Sequence, residues 1–129
     1  LALGADAVSI GSAAMIAIGD NDPKWEKEYE KLGSKAGAYD DWHEGNDPAG
    51  ISTQKPELMK RLDPKKAGRK LSNYLKVMSL EAQTIARACG KNSVHNLEPE
   101  DLCALTVEAA AMARVPLAGT SWIPGIKKK

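Results

Sequence analysis

Apolar positions change their spacing three times along the chain, and each change predicts a different element. Residues Ala5 to Ile10 form a short apolar run containing the β-branched pair Val8 and Ile10. A strand covered on both faces, as in a parallel α/β sheet, has this pattern. Gly11-Ser12 is a turn with Ser12 placed as an N-cap, and Ala13 to Ile18 then predicts a short helix stopped by Gly19. A strand, a small-residue turn and a helix start form an arrangement that suits a phosphate, because the unpaired amides and the positive dipole end of a helix both favour an anion.

Helical spacing takes over after residue 55. Pro56 to Leu62 predicts a short helix, and Asp63-Pro64 starts a long one with Asp63 as N-cap and Pro64 in the first turn. Its apolar positions, among them Ala67, Leu71, Leu75, Met78, Ala82, Ile85 and Cys89, recur at three- and four-residue intervals up to Gly90. Leu97-Glu-Pro-Glu-Asp-Leu102 then launches a last helix to about Arg114, with Pro99 in the first turn and acidic residues at its positive end. Pro116 follows the stop, and Gly119 to Lys129 reads as an extended tail with Trp122 as an anchor.

Between these regions, Asp20 to Gly50 is rich in glycine, proline and charge, and holds Trp25, Tyr29, Tyr39 and Trp42. Pro23 opens a short helix over Lys24 to Leu32, and the remainder, Gly33 to Gly50, is expected to be irregular. Loops of that length in a compact domain are usually functional or form an interface, and the aromatics predict that this one packs rather than waves in solvent. The residues thus divide into 1–19, 20–55, 56–115 and 116–129.

Composition narrows the picture by exclusion. The chain has 129 residues, with 18 basic and 17 acidic side chains and a net charge of +1. That balance does not point to nucleic acid. The paired C-terminal helices carry only Arg114 as a base on the second, too few donors for a recognition helix. Lys127-Lys128-Lys129 reads as a solvated tail. No apolar run reaches the ~20 residues of a membrane span, and no basic start marks a signal peptide. Cys89 and Cys103 both lie on the apolar side of a predicted helix and read as buried free thiols, consistent with the cytoplasm. The abrupt start, without Met, reads as the C-terminal piece of a larger protein.

Several motifs fall in an order that resembles a known family. They are Gly4-Ala-Asp-Ala-Val-x-Ile-Gly-Ser-Ala, Asp47-Pro-Ala-Gly-Ile-Ser-Thr-Gln54, Ala88-Cys-Gly and Leu97-x-Pro-x-Asp-Leu102. The chain resembles the C-terminal end of the FMN-binding domain of the glutamate synthase family. The resemblance implies an α/β fold: the last strand and helix of a (β/α)8 TIM barrel, followed by a mainly helical extension. It implies FMN as cofactor, with the amides of Gly11 and Ser12 facing its phosphate, in agreement with the general barrel rule.

One departure from the family pattern stands out. The family carries cysteines that hold a three-iron cluster, and the matching positions here are Asp20, Trp42 and Asp47, beside His43 and Pro48. Iron–sulfur clusters need thiolates, so the cluster is expected to be absent, with Trp25, Tyr39 and Trp42 filling its space. Asp20, Asp40, Asp41, His43, Glu44 and Asp47 have ligand chemistry for another metal, but no metal-motif spacing. His95 is expected to cap or pack its connector.

The stretch Gly37-Ala-Tyr-Asp-Asp-Trp-His-Glu-Gly45 is similar to a cluster-free branch, the FMN-barrel subunit of methylamine–glutamate N-methyltransferases. That branch implies an exchange of ammonia and methylamine on glutamate. It also implies glutamine-amidotransferase-like and β-helix-like partner subunits beside the rest of the barrel. Ordinary glutamate synthase chemistry is the alternative within the class. A non-catalytic role for Asp63 to Arg114, as a clamp for partner subunits, is the alternative outside it.

Overall fold

The computed structural model describes residues 1–126. It separates into two compact units: Ile10–Met78, and Leu1–Ser9 together with Ser79 onward. The long helix contributes to both.

In the first unit, α1 spans Ser12–Ile18. Its N-cap is Gly11, without a side-chain cap bond, so Ser12 is the first helical residue and not the predicted cap. Gly19 stops the helix as expected, at φ 115°, and the amide of Asp20 closes on the Met15 carbonyl at 3.0 Å. Asp22 accepts from the Lys24 amide and caps a 3-10 turn, Pro23–Trp25, which leads into α2, Glu26–Lys31. The following loop is irregular apart from a 3-10 turn at Trp42–Glu44. α3 is a single turn, Pro56–Met59. α4, Pro64–Ala88, begins where Asp63 accepts from the amides of Lys65 and Lys66 at 3.0 and 3.1 Å.

The second unit takes α4 from Ser79 to its end, where Gly90 adopts φ 74° and the Lys91 amide returns to the Ala86 carbonyl at 2.8 Å. The expected single helix from about residue 98 to Arg114 is broken. A 3-10 turn, Pro99–Asp101, is followed by extended backbone, and α5 spans only Val107–Ala113. Thr106 caps α5 by accepting from the Ala109 amide. The break has a cause in the pairing of Ala104, which leaves the helical path to make an isolated parallel bridge with Leu117, donating to Pro116 and accepting from Ala118, both at 2.8 Å. Ala104, Ala110 and Val115 form a small buried cluster there.

Three further expectations change. Ala5–Ile10 is not a strand; it has no regular structure, and Val8 is 67% exposed. No strand among the described residues lies beside it to satisfy a ladder. Cys103 is exposed on the extended segment and Cys89 only half-buried, so neither is the core thiol predicted. His95 is exposed within a 3-10 turn, Val94–Asn96, and Ser93 supplies the cap of that turn. Trp122 holds the segment after Gly119 in place through its backbone carbonyl, which accepts from Leu117, while its ring stays largely exposed. The terminal lysines lie outside the described residues. No helix among the described residues is long and apolar enough to cross a membrane.

Candidate functional site: a buried carboxylate network

The aromatic–acidic loop forms the interior of the Ile10–Met78 unit. Tyr29 and Tyr39 are both buried and pack tilted against each other, with centroids 5.5 Å apart. Trp25 instead lies at the edge, where the guanidinium of Arg61 sits 4.4 Å over its ring. Arg61 also donates to the Pro48 carbonyl at 2.9 Å, which ties the end of α3 to the loop.

Asp47 is the centre of this arrangement. It is fully buried. Its Oδ1 accepts from the Ala49 amide at 2.9 Å, and its Oδ2 accepts from Ile51 at 2.8 Å and Ser52 at 3.0 Å. The Tyr29 hydroxyl donates a longer bond to Oδ1, at 3.5 Å. The sequence explains the geometry: Asp-Pro-Ala-Gly is a turn in which the aspartate side chain stands in for a backbone acceptor. Gly50 reaches φ 79° to bring the amides on either side of it round to the carboxylate.

Asn21 builds the second half. Its Oδ1 accepts from the amides of Gly37 and Tyr39 at 2.9 and 3.0 Å, and its Nδ2 donates to the Tyr39 carbonyl and to Asp20 Oδ2. Its own amide donates to the Tyr29 hydroxyl at 3.1 Å. A continuous path therefore links Asp20, Asn21, Tyr29 and Asp47. Burial, with the charge of Asp47 adding to it, holds the Tyr29 hydroxyl well above the ordinary phenol range, so it stays a donor.

Two of the three positions that match the cluster cysteines are thus brought together, Asp20 and Asp47. The third, Trp42, contributes an indole N–H that is buried and unpartnered. Of the remaining metal-ligand candidates, Asp40, Asp41, His43 and Glu44 are exposed. No group of three metal-ligating side chains occurs among the described residues. The donor set does not fit an iron–sulfur cluster: it offers no thiolate, and every contact of Asp47 is already committed to the fold.

Gly11 and Ser12 lie in the same unit, at the start of α1, and both are exposed. A Cβ built on Gly11 meets nothing within 4 Å, so its backbone is open to approach. The Gly11 carbonyl is used inside α1, accepting from Ala14 and Met15. Sequence reasoning placed Asp47 as a cysteine replacement and among the metal-ligand candidates; the Asp-Pro-x-Gly turn was the signal for its acceptor role.

Comparison with known proteins points to one class: the chain is glutamate synthase-like. Residues 38–92, which contain Asp47 and all of α4, match the family model described as a conserved region in glutamate synthase. A "Glutamate synthase large subunit-like protein" of Rhizobium meliloti (strain 1021) is 82% identical over 125 residues, covering 97% of this chain and 28% of that protein. An "Archaeal glutamate synthase [NADPH]" of Methanocaldococcus jannaschii is 39% identical over 97 residues, covering 75% of this chain and 16% of that protein. An "Archaeal-type glutamate synthase [NADPH]" of Thermotoga neapolitana is 33% identical over the same length and shares. The chain therefore spans less than a third of the length of these relatives. No solved structure matches.

Proposed function

We propose that this chain is the C-terminal end of an FMN-binding (β/α)8 barrel in a glutamate synthase-like enzyme that acts on glutamate and an amine. In the finer reading, the whole enzyme is a methylamine–glutamate N-methyltransferase, converting glutamate and methylamine to N-methylglutamate and ammonia. One observation carries the choice of a cluster-free branch. Asp47 stands where a cluster cysteine is expected, and its carboxylate is spent on three backbone amides. Ordinary glutamate synthase would need a thiolate at that position.

When bound, FMN supplies the redox chemistry, and the protein's part is to hold and orient it. The residues fit that part modestly: Gly11 and Ser12 present open backbone at a helix start, where amides lack intrahelical partners. Gly11 has a negative φ of −93°, outside the left-handed region that requires glycine. Gly11→Ala in the full-length enzyme is therefore expected to leave the melting temperature unchanged while lowering flavin content. Full flavin retention would remove Gly11 from the phosphate site.

The reading as a whole is tested on the native assembly that contains this chain, by visible spectrum and by assay of released flavin and iron. FMN without iron is the expected result. FMN with iron would return the protein to ordinary glutamate synthase chemistry. Neither cofactor would favour the non-catalytic reading, in which Asp63 to Arg114, with α4 at its start, is a clamp for partner subunits. That second reading has its own observation: Val77, Leu80 and Ile85 of α4 are all more than half exposed.

A further inference from the structure

Asp20 is the one carboxylate of the network whose burial is not matched by its hydrogen bonds. It is 3% exposed, its Oδ2 accepts from Asn21 Nδ2 at 3.2 Å, and its Oδ1 has no partner. No lysine or arginine is paired with it among the described residues. An ionised oxygen in that position would be a buried charge without a cation or a donor, which proteins avoid by neutralising the group. Asp47 differs, because it serves only as an acceptor in each of its contacts.

We propose that Asp20 is protonated beside the ionised Asp47, with its proton on Oδ1, and that this proton is a condition for closing the aromatic loop around them. The division of roles follows from the geometry. Three amides and a phenol donate to Asp47, so protonating it would set a donor against donors. Asp20 has a free oxygen and a single side-chain donor. Among the described residues, the titratable groups that face Asp20 are Asp47, Tyr29 and Tyr39, none of them cationic.

The direction of the pH response is fixed by these contacts. Burial raises the Asp20 carboxyl above its ordinary value; the hydrogen bond from Asn21 opposes the rise, and the Asp47 charge, a smaller effect, adds to it. The folded chain thus holds a proton that the unfolded chain releases. The stability this group contributes is complete below the ordinary carboxylate value and is lost as pH climbs through the raised one. Closure of the loop therefore weakens toward alkaline pH, the opposite of the usual paired carboxylate.

The test is independent of the cofactor and uses the full-length protein and its Asp20→Asn variant. An infrared pH titration should show the carbonyl band of a protonated carboxylic acid that persists above the ordinary carboxylate range and is lost in the variant. Melting temperatures of the two proteins should coincide at acidic pH and separate as pH rises, the variant keeping the higher value. Identical pH slopes, or a wild-type spectrum without the protonated band, would overturn the proposal. Should Asp20→Asn not fold, isotope labelling of aspartate in the wild-type protein gives the same decision. An aspartate carboxyl that stays protonated above the ordinary carboxylate range supports the proposal, and its absence refutes it.

Discussion

Gly50→Ala should be the most damaging single-methyl change in the chain. Gly50 has φ 79°, and a Cβ there would fall on the carbonyl oxygen of Leu58, with the Leu58 carbonyl carbon 3.0 Å away and the Arg61 Cβ at 3.4 Å. The obstruction is backbone, so no rotamer change relieves it. Left-handed strain alone costs about 1–2 kcal/mol for a non-glycine residue. Displacing Leu58 would also break its bond from the Arg61 amide, at 2.9 Å, and pull Arg61 from Pro48 and Trp25. The sum is about 4 kcal/mol, among the large effects of single substitutions. Gly33→Ala provides the comparison: φ is 75°, but nothing lies within 4 Å of the added methyl, so only the strain remains. Denaturant unfolding of the two full-length variants measures both. Equal losses would mean that α3 is free to move away from the loop.

Asp47→Ala should be the second large effect, through hydrogen bonding rather than sterics. It strands the amides of Ala49, Ile51 and Ser52 and removes the partner of the Tyr29 hydroxyl. A buried donor left unsatisfied costs about 1–3 kcal/mol. Ala49 is buried, whereas Ile51 and Ser52 are half-buried and can recruit water. The expected loss is therefore about 4 kcal/mol rather than the full sum of the parts. Asp47→Asn, which keeps one carbonyl oxygen, should lose roughly half as much. A midpoint shift in Asp47→Ala no larger than that expected for an exposed ion pair such as Lys24–Asp22, about 0–1 kcal/mol, would show that the loop is held by its aromatics instead.

Local signals were legible where one residue decides the outcome. Asp63 with Pro64 placed the start of α4, Gly90 its end and Gly19 the end of α1. Signals that depend on distant partners were not. The β-branched run at Ala5–Ile10 reads as a buried strand, but a strand requires a neighbour, and none is present among the described residues. The helix predicted from Leu97 to Arg114 failed at Ala104, where hydrogen bonds to Pro116 and Ala118 outweigh helical propensity. Cys103 followed that helix out of the predicted core. The site was half legible. Asp20, Trp42 and Asp47 could be singled out as replacements for cysteine. That Asn21 would join Asp20 to Tyr29 across the loop could not, because residue 21 adopts φ 56°, a conformation that nothing in its neighbours demands.

The prolines at helix starts have a consequence for how this sequence tolerates change. Pro23, Pro56, Pro64 and Pro99 each occupy the opening positions of a helical turn. Each fixes its own φ before any packing occurs, and so narrows the conformations of the unfolded chain as well. The starting points of these segments are thereby written into single residues. Substitutions on their surfaces can drift, and new surfaces can be laid against them, without renegotiating where any segment begins.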